Sequence, residues 1–93
     1  MEAQKIIITG GATRIGAAIA ERLSGFKVQI VIQYNMSRAK GELLKKKLEK
    51  KGSKIYLIKA DLRKEKDVKK IVKFAKTKMG YLDCLINNAS VFD

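Results

Sequence analysis

Short apolar runs alternate along the chain with longer segments whose apolar residues have helical spacing. The first run, Ile6 to Ile8, consists of three β-branched residues, which is typical of a strand buried on both faces. From Ile15 the apolar residues recur every three or four positions, as on one face of an amphipathic helix. The continued alternation predicts strands at 6–8, 28–34, 54–58 and 82–86, helices at 14–24 and 37–51, and a third helix that ends at Gly80.

The third helix has the most regular pattern, with one apolar face that we expect to be buried and an opposite face of lysines in water. In the second helix, Ser37 is the expected N-cap and Gly41 should cost about 1 kcal/mol relative to alanine. Glycines that follow the helices are expected to end them. The residues concerned are Val68, Ile71, Val72, Ala75 and Met79 on the apolar face, Lys69, Lys70, Lys73 and Lys76 opposite, Leu44 and Leu48 in the second helix, and Gly25, Gly52 and Gly80.

Alternating strands and helices imply parallel strands joined by right-handed crossovers. We therefore expect an α/β fold, a Rossmann-type doubly wound parallel sheet of which the chain supplies the N-terminal half, with strand order 3-2-1-4. Ligands of such sheets bind where strands 1 and 4 diverge, at their carboxyl ends. A glycine or polar residue follows each predicted strand there: Gly10, Asn35, Asp61 and Asn88.

The first strand-to-helix turn, from Thr9 to Gly16, has the composition of a phosphate-binding turn. Gly10 gives the backbone freedom, and the following helix directs unpaired N–H groups and the positive end of its dipole at the turn. A P-loop is excluded because two alanines follow Gly16, where lysine and serine or threonine are required. The pattern G-x-G-x-x-G fails at Thr13. What fits is Thr-Gly-x-x-x-Arg-x-Gly, with Arg14 just before the helix.

This turn, together with Ala60 to Leu62 and Asn87 to Ser90, resembles the short-chain dehydrogenase/reductase family, and the matches cover the whole chain in the expected order. The resemblance implies an oxidoreductase that binds a dinucleotide, with Gly10, Ile15 and Gly16 in the cofactor turn. It implies that Asp61 bonds the adenine amino group and that Leu62 lines the adenine pocket. The alternative for Asp61 is that it only helps to start the next helix.

The same resemblance implies that Asn88 and Ala89 contact the cofactor and that Asn87 braces the sheet. The end of the second strand indicates which cofactor binds. Enzymes that prefer NAD usually place an acidic residue there, whereas none occurs between Glu21 and Glu42. A 2′-phosphate would instead find charge-assisted donors. We therefore predict NADP(H), bound by Tyr34, Asn35, Ser37 and Arg38 with Arg14 from the glycine turn; the alternative, ordinary surface arginines, fits Arg38 better than Arg14.

Arg14, Tyr-x-x-Ser after strand 2 and Asn-Asn-Ala-Ser-x-Phe after strand 4 are most similar to the pteridine reductases. This likeness implies that Ser90 contacts cofactor and substrate and that Phe92 stacks on a pterin ring. A core position for Phe92 is an equal alternative. Met36 stands where that subfamily commonly has an arginine for the 2′-phosphate, so either Arg38 compensates or the affinity is lower.

The family's acid–base residues, a Ser, a Tyr and a Lys four residues after the Tyr, have no match in this chain. Tyr34, Tyr56 and Tyr81 are followed four positions later by arginine, alanine and leucine. We therefore predict no catalytic residue here, a longer reductase whose catalytic half lies beyond Asp93, and no activity for residues 1–93 alone. The alternative is a non-catalytic nucleotide-binding or oligomerising module. With one helix on the second face, part of that face and the edge at 85–86 should contact water.

The net charge is +12, and 17 basic against 5 acidic residues between Arg38 and Lys78 account for the entire excess. Lysines dominate and aromatic residues are few, which favours a solvated helix surface over a specific nucleic-acid site. Cys84, the single cysteine, excludes an internal disulfide and is expected in the core. Without a secretory signal or a bilayer-spanning run, we expect a cytoplasmic protein with no membrane or metal site, a small-molecule substrate, and a homo-oligomeric full-length form.

Overall fold

A computed structural model describes residues 4–10, 12 and 14–88. In these residues strands and helices alternate as the hydrophobic pattern predicts. The elements are β1 (Gln4–Thr9), α1 (Arg14–Leu23), β2 (Val28–Tyr34), α2 (Arg38–Glu49), β3 (Lys54–Lys59), α3 (Glu65–Met79) and β4 (Cys84–Asn87). None of the helices within the described ranges has both the length and the apolar character needed to cross a bilayer.

The four strands form one parallel sheet in the order β3-β2-β1-β4. In the register, Ile7 of β1 lies opposite Val31 of β2 and Leu85 of β4. Since each strand is parallel to its neighbour, every carboxyl end lies at the same edge of the sheet. The fold prediction, a Rossmann-type sheet with this strand order, is confirmed.

Each face of the sheet carries its own hydrophobic cluster because the strand residues alternate between the two faces. Helices α1 and α2 cover one face, where Ala20 and Leu48 pack on the isoleucines of the central strands. An ion pair between Glu21 and Lys47 links these two helices. Helix α3 covers the other face with Ile71, Ala75 and Met79, which pack on Ile7, Val31 and Ile58.

The buried stripe of α3 is narrower than the sequence pattern indicates. Ile71, Ala75 and Met79 are buried, whereas Val68 and Val72 are 42% and 43% exposed. The buried residues follow an i, i+4 row. Val72 lies on the flank of this row, whereas Val68 shares its face but lies near the start of α3, before the first buried residue of the row. The prediction that all five form one buried face is therefore wrong for Val68 and Val72, while the four lysines opposite are exposed as predicted.

Strand β4 begins two residues later than predicted. Asp83 donates its N–H to the carbonyl of Lys5 (2.8 Å), and its carboxylate accepts the N–H of Lys5 (2.8 Å). The Asp83 carboxylate thus takes the place of a backbone carbonyl in the hydrogen-bond ladder between β1 and β4, just before β4 starts. Cys84 is exposed, so its predicted core position is wrong: it lies on the outermost described strand, where helix cover ends. Leu85 is 58% exposed, as expected for this edge.

Of the three described helices, α3 ends directly at its predicted glycine, whereas α1 ends two residues before Gly25 and α2 ends three residues before Gly52. Gly80 follows α3 with φ of 88°, and its N–H donates to the carbonyl of Lys76 (2.8 Å). The predicted capping bond of Ser37 is not made, although Ser37 is the N-cap residue of α2. Its ψ of 50° departs from the extended conformation that directs a hydroxyl at the first-turn N–H groups.

Candidate functional site

The four residues that follow the strands lie at one rim of the sheet. Thr9, just before Gly10, is in register with Gln33 and with Asn87, and Tyr34 is in register with Lys59. The glycine turn and the loops after β2, β3 and β4 therefore start within about two residues of one another along the strand direction. The structure brings Gly10, Asn35, Asp61 and Asn88 together at this edge, as the topology predicts.

Hydrogen bonds join the glycine turn to the end of β4. The Thr9 hydroxyl donates to Oδ1 of Asn87 (2.9 Å) and accepts the backbone N–H of Asn88 (3.0 Å). The Asn88 amide donates through Nδ2 to the carbonyl of Gly10 (3.2 Å). Asn87 and Asn88 thus hold the turn against the last strand, and the brace expected of Asn87 is present in its contact with Thr9.

On the other side, Gln33 joins the turn to the end of β3. Its Oε1 accepts the N–H of Gly10 (2.7 Å), and its Nε2 donates to the carbonyl of Ala60 (2.7 Å). Ala60 in turn donates its N–H to the carbonyl of Tyr34 (3.0 Å). Sequence reasoning missed Gln33, although an amide at the end of an apolar β-strand is a signal that could have found it.

The glycine turn leads directly into α1. Gly10 has φ of 65°, a conformation that favours glycine. Gly16 is buried in the first turn of the helix, whereas Arg14 and Ile15 are exposed at the rim. The first turn of α1 contains no acidic residue. The start of this helix therefore combines its dipole with an arginine, and both attract anions.

The end of β2 places a phenol and a guanidinium next to each other. Tyr34 is buried, and its hydroxyl accepts a hydrogen bond from Nη1 of Arg38 (3.3 Å). Nη2 of Arg38 lies 3.7 Å from the carboxylate of Glu42, one helical turn further on. This exposed pair is weak, but the carboxylate of Glu42 partly offsets the positive charge of Arg38. The sequence interpretation had placed Glu42 outside the site. Asn35 and Ser37 are half-buried beside them.

Asp61 is held in a defined orientation by Arg63. The backbone N–H and Nε of Arg63 donate to Oδ1 of Asp61 (both 3.0 Å), and Nη2 donates to Oδ2 (3.0 Å). These hydrogen bonds, with the positive charge, lower the pKa of Asp61 to about 2. The carboxylate is therefore ionised at neutral pH, and three of its roughly four acceptor positions are in use, which leaves about one for a ligand.

The alternative role for Asp61, as a helix start, is not what the structure shows. Helix α3 begins at Glu65 with Lys64 as its N-cap. The Asp61 carboxylate bonds Arg63 instead, while Asp67 of α3 accepts the backbone N–H of Asp61 (2.7 Å). Leu62 is half-buried against the cluster beneath α3.

A cleft of about 290 Å³ opens between the end of β2 and the start of α3. Its lining contains three lysines, two aspartates and an amide, so cationic and acceptor groups face one open space. Such a lining can attract a phosphorylated ligand while it offers a carboxylate to a donor on that ligand. The residues are Asn35, Lys59, Ala60, Asp61, Lys64, Asp67 and Lys70.

Three predicted contacts, Ala89, Ser90 and Phe92, lie outside the described residues. Among the residues that are described, no group of three or more cysteine or acidic side chains is placed to hold a metal ion. The described part of the site consists of backbone, amide and basic groups at the rim, together with the Asp61 carboxylate that Arg63 orients.

The parallel sheet with its glycine turn defines a Rossmann-type α/β protein. Residues 4–93 match the family model described as short chain dehydrogenase. The chain belongs to the short-chain dehydrogenase family. The glycine turn and the segments 60–62 and 87–90 had indicated the same family.

Among curated relatives, the (S)-acetoin-forming diacetyl reductase of Staphylococcus epidermidis is 39% identical over 85 residues, which is 91% of this chain and 33% of that protein. The short-chain dehydrogenase/reductase homolog YusS of Bacillus subtilis is 31% identical over 85 residues, or 91% of this chain and 78% of YusS. The chain spans about a third of the length of the first three curated relatives that it matches.

Solved structures of the family superimpose closely. A short chain dehydrogenase from Burkholderia cenocepacia in complex with NADP gives a TM-score of 0.90 at 32% identity, covering 99% of this chain and 38% of that one. FolM alternative dihydrofolate reductase 1 from Brucella canis, complexed with NADP, gives a TM-score of 0.81 at 37% identity, covering 95% and 35%. These likenesses, with the family match, support an oxidoreductase fold that binds a nicotinamide cofactor.

Proposed function

We propose that the chain is the cofactor-binding part of an NADP(H)-dependent short-chain reductase. The observation that carries the proposal is the single rim at which Gly10, Asn35, Asp61 and Asn88 meet. Arg14 at the start of α1 and Arg38 at the start of α2 flank the place where a 2′-phosphate would bind. The two structural neighbours complexed with NADP support the same choice of cofactor.

In this proposal each loop has a separate task. The N–H groups at the start of α1 bind the pyrophosphate; Ile15 contributes to this first turn, and Gly16, which has no Cβ, allows close approach. Asp61 uses its remaining acceptor position for the adenine amino group, and Leu62 lines the adenine pocket. Tyr34, Asn35, Ser37 and Arg38 form the wall near the 2′-phosphate together with Arg14, and Asn88, Ala89 and Ser90 lie beside the ribose of the nicotinamide half.

Binding of NADPH and NADH to Arg14→Ala tests the choice of cofactor. Loss of one charge-assisted bond to the 2′-phosphate costs about 1.5–3 kcal/mol, so NADPH affinity should fall roughly tenfold to a hundredfold. NADH lacks that phosphate and should lose much less. Arg22→Ala is the matched control, since Arg22 lies in the last turn of the same helix, away from the rim. Equal losses for both cofactors in Arg14→Ala would contradict the proposal.

We propose a pterin, or a similar carbonyl or imine compound, as the small-molecule substrate of the full-length enzyme. Its support is the sequence Asn-Asn-Ala-Ser-x-Phe and the likeness to FolM alternative dihydrofolate reductase 1. With NADP present, Phe92→Leu should weaken binding of a pterin, followed by its own fluorescence. Phe26→Leu is the control because Phe26 lies before β2, at the opposite end of the sheet. Unchanged binding in Phe92→Leu would refute the stacking role.

We also propose that residues 1–93 bind the cofactor without reducing a substrate, because no Tyr is followed four residues later by Lys. NADPH oxidation in the presence of a pterin should therefore stay at the rate of the buffer alone. A measurable turnover that depends on the chain would overturn this part. We further propose a cytoplasmic location and a homo-oligomeric full-length form.

A second candidate is a non-catalytic nucleotide-binding or oligomerising module. It is favoured by YusS, a relative of which this chain covers 78%. Size-exclusion chromatography with light scattering, with and without NADPH, separates the two. A stable oligomer that binds a nucleotide but no pterin would favour the module.

A further inference from the structure

Gln33 is a buried polar residue in an otherwise apolar strand. It is 2% exposed and follows Ile30, Val31 and Ile32, all fully buried. A buried amide without partners is costly, and here both ends of the amide are bonded at 2.7 Å. A hydrophobic residue would serve the core at lower cost, so the amide needs another explanation.

The two partners of Gln33 belong to two different loops of the rim. Gly10 is the first glycine of the turn before α1, and Ala60 directly precedes Asp61. The groups are opposite in kind, a backbone N–H and a backbone C=O. An amide end offers one acceptor and two donors, so it can satisfy both at once.

We propose that Gln33 is a positioning residue for the dinucleotide site, and this inference rests on the proposed function. By holding Gly10 and Ala60 at a fixed separation, Gln33 sets the spacing between the phosphate-binding turn and the Asp61 carboxylate. Because it is buried, Gln33 acts through these two backbone groups. The Asn88 bond to the Gly10 carbonyl fixes the same peptide segment from the other side, so Gly10 is held from both neighbouring strands.

Two substitutions remove the link in different ways. Gln33→Met keeps the length of the side chain but neither hydrogen-bonding end. Gln33→Asn keeps the amide but is one methylene shorter, so it cannot span both partners. Ser53→Ala is the matched control: Ser53 is also buried, and its hydroxyl accepts the N–H of Gly25 (2.7 Å) and donates to its carbonyl (3.1 Å). That pair lies at the amino end of the strands, away from the rim.

The readout is NADPH affinity by isothermal titration calorimetry, at a temperature well below the unfolding midpoint of every variant. Both Gln33 variants should lose about tenfold or more in NADPH affinity, because NADPH must then order two loops that Gln33 no longer holds. Ser53→Ala should lower the unfolding midpoint comparably and keep its affinity within about twofold. If Gln33 had only a structural role, the two Gln33 variants and Ser53→Ala would lose stability but would not differ in NADPH affinity.

Folded Gln33 variants that bind NADPH like the wild type would overturn the inference. So would an equal loss of affinity in Ser53→Ala, since general destabilisation would then explain both. If neither Gln33 variant folds, its role is in the core and the positioning role is refuted. Failure of the wild-type chain to bind NADPH is a separate result, which overturns the proposed function and this inference with it.

Discussion

Gly41→Ala should make the chain more stable, although Gly41 is buried in the interior of α2. A Cβ at this position would lie 3.5 Å from Cδ2 and 3.6 Å from Cδ1 of Leu57, and 3.9 Å from Cβ of Ala12. These are ordinary van der Waals distances. The methyl group therefore fits between the helix and the sheet without moving its neighbours.

The gain follows from the helix itself. Glycine in a helix interior is about 0.5–1 kcal/mol less favourable than alanine, because it loses more backbone freedom on folding. With no packing penalty to subtract, the free energy of unfolding should rise by about 1 kcal/mol. For a domain of this size that corresponds to an unfolding midpoint roughly 4–8 °C higher.

Gly52→Ala is the matched control, because Gly52 follows the same helix but has φ of 94°. A Cβ there would lie 3.4 Å from Cα of Phe26, at the short limit of ordinary contact, so the penalty comes from the backbone conformation. A side chain in this region costs about 1–2 kcal/mol, so the midpoint should fall.

Thermal unfolding followed by far-ultraviolet circular dichroism, with a urea titration at one temperature, measures both changes. The two glycine variants should move in opposite directions while the urea m-value stays constant. If Gly41→Ala is destabilised as Gly52→Ala is, α2 packs closer to β3 than the Leu57 distances indicate, and the reasoning from them fails.

Three further predictions concern the core, acid stability and the exposed thiol. Leu48→Ala should cost about 2–5 kcal/mol, since Leu48 is fully buried, whereas Leu43→Ala on the same helix, 69% exposed, should stay within about 0.5 kcal/mol in a urea titration. Because the folded pKa of Asp61 is lowered from 3.8 to about 2, its contribution to stability is present above pH 3.8 and is lost as the pH falls through 3.8 towards 2. Asp61→Asn should lack this part of the acid transition, and an unchanged pH–stability curve would contradict the Arg63 contact. Cys84 should react with a thiol reagent as fast in buffer as in urea; strong protection in buffer would refute its exposure.

The elements and their order could be predicted because local signals and the fold agree. β-Branched runs, amphipathic spacing and glycines at helix ends all indicate the same alternation, and parallel crossovers then restrict the topology. The predicted rim followed from this without any side-chain contact, since the carboxyl ends of parallel strands share one edge.

The errors occur where tertiary contacts decide. Val68 and Val72 have the spacing of core residues, but the extent of the sheet beneath α3, along the helix as well as across it, decides which of the apolar positions are covered. Cys84 lies in an apolar segment typical of a buried strand, yet this strand is the outermost described one. The expectation of a core position followed the local pattern and did not use the predicted strand order, which already placed this strand at the sheet edge. Neither property is encoded in a local pattern.

The site residues that sequence reasoning missed are those that hold other residues of the site in place. Gln33 and Arg63 belong to no motif, and their importance appears when their partners are known: Gly10 and Ala60 for one, Asp61 for the other. The motif residues could be predicted because a family pattern restricts their residue types directly. The residues that hold them are restricted by geometry between distant segments.

The bond between Asn88 and Gly10 joins residues 78 positions apart, whereas Gly10 and Gln33 are 23 apart. Closing the longer loop costs more chain entropy, and contacts of large sequence separation tend to form late in folding. We therefore expect β1, β2 and β3 to assemble first and β4 to dock last. A nucleotide that spans the rim would then bind a chain that has completed this final step, and bound nucleotide would slow the detachment of β4.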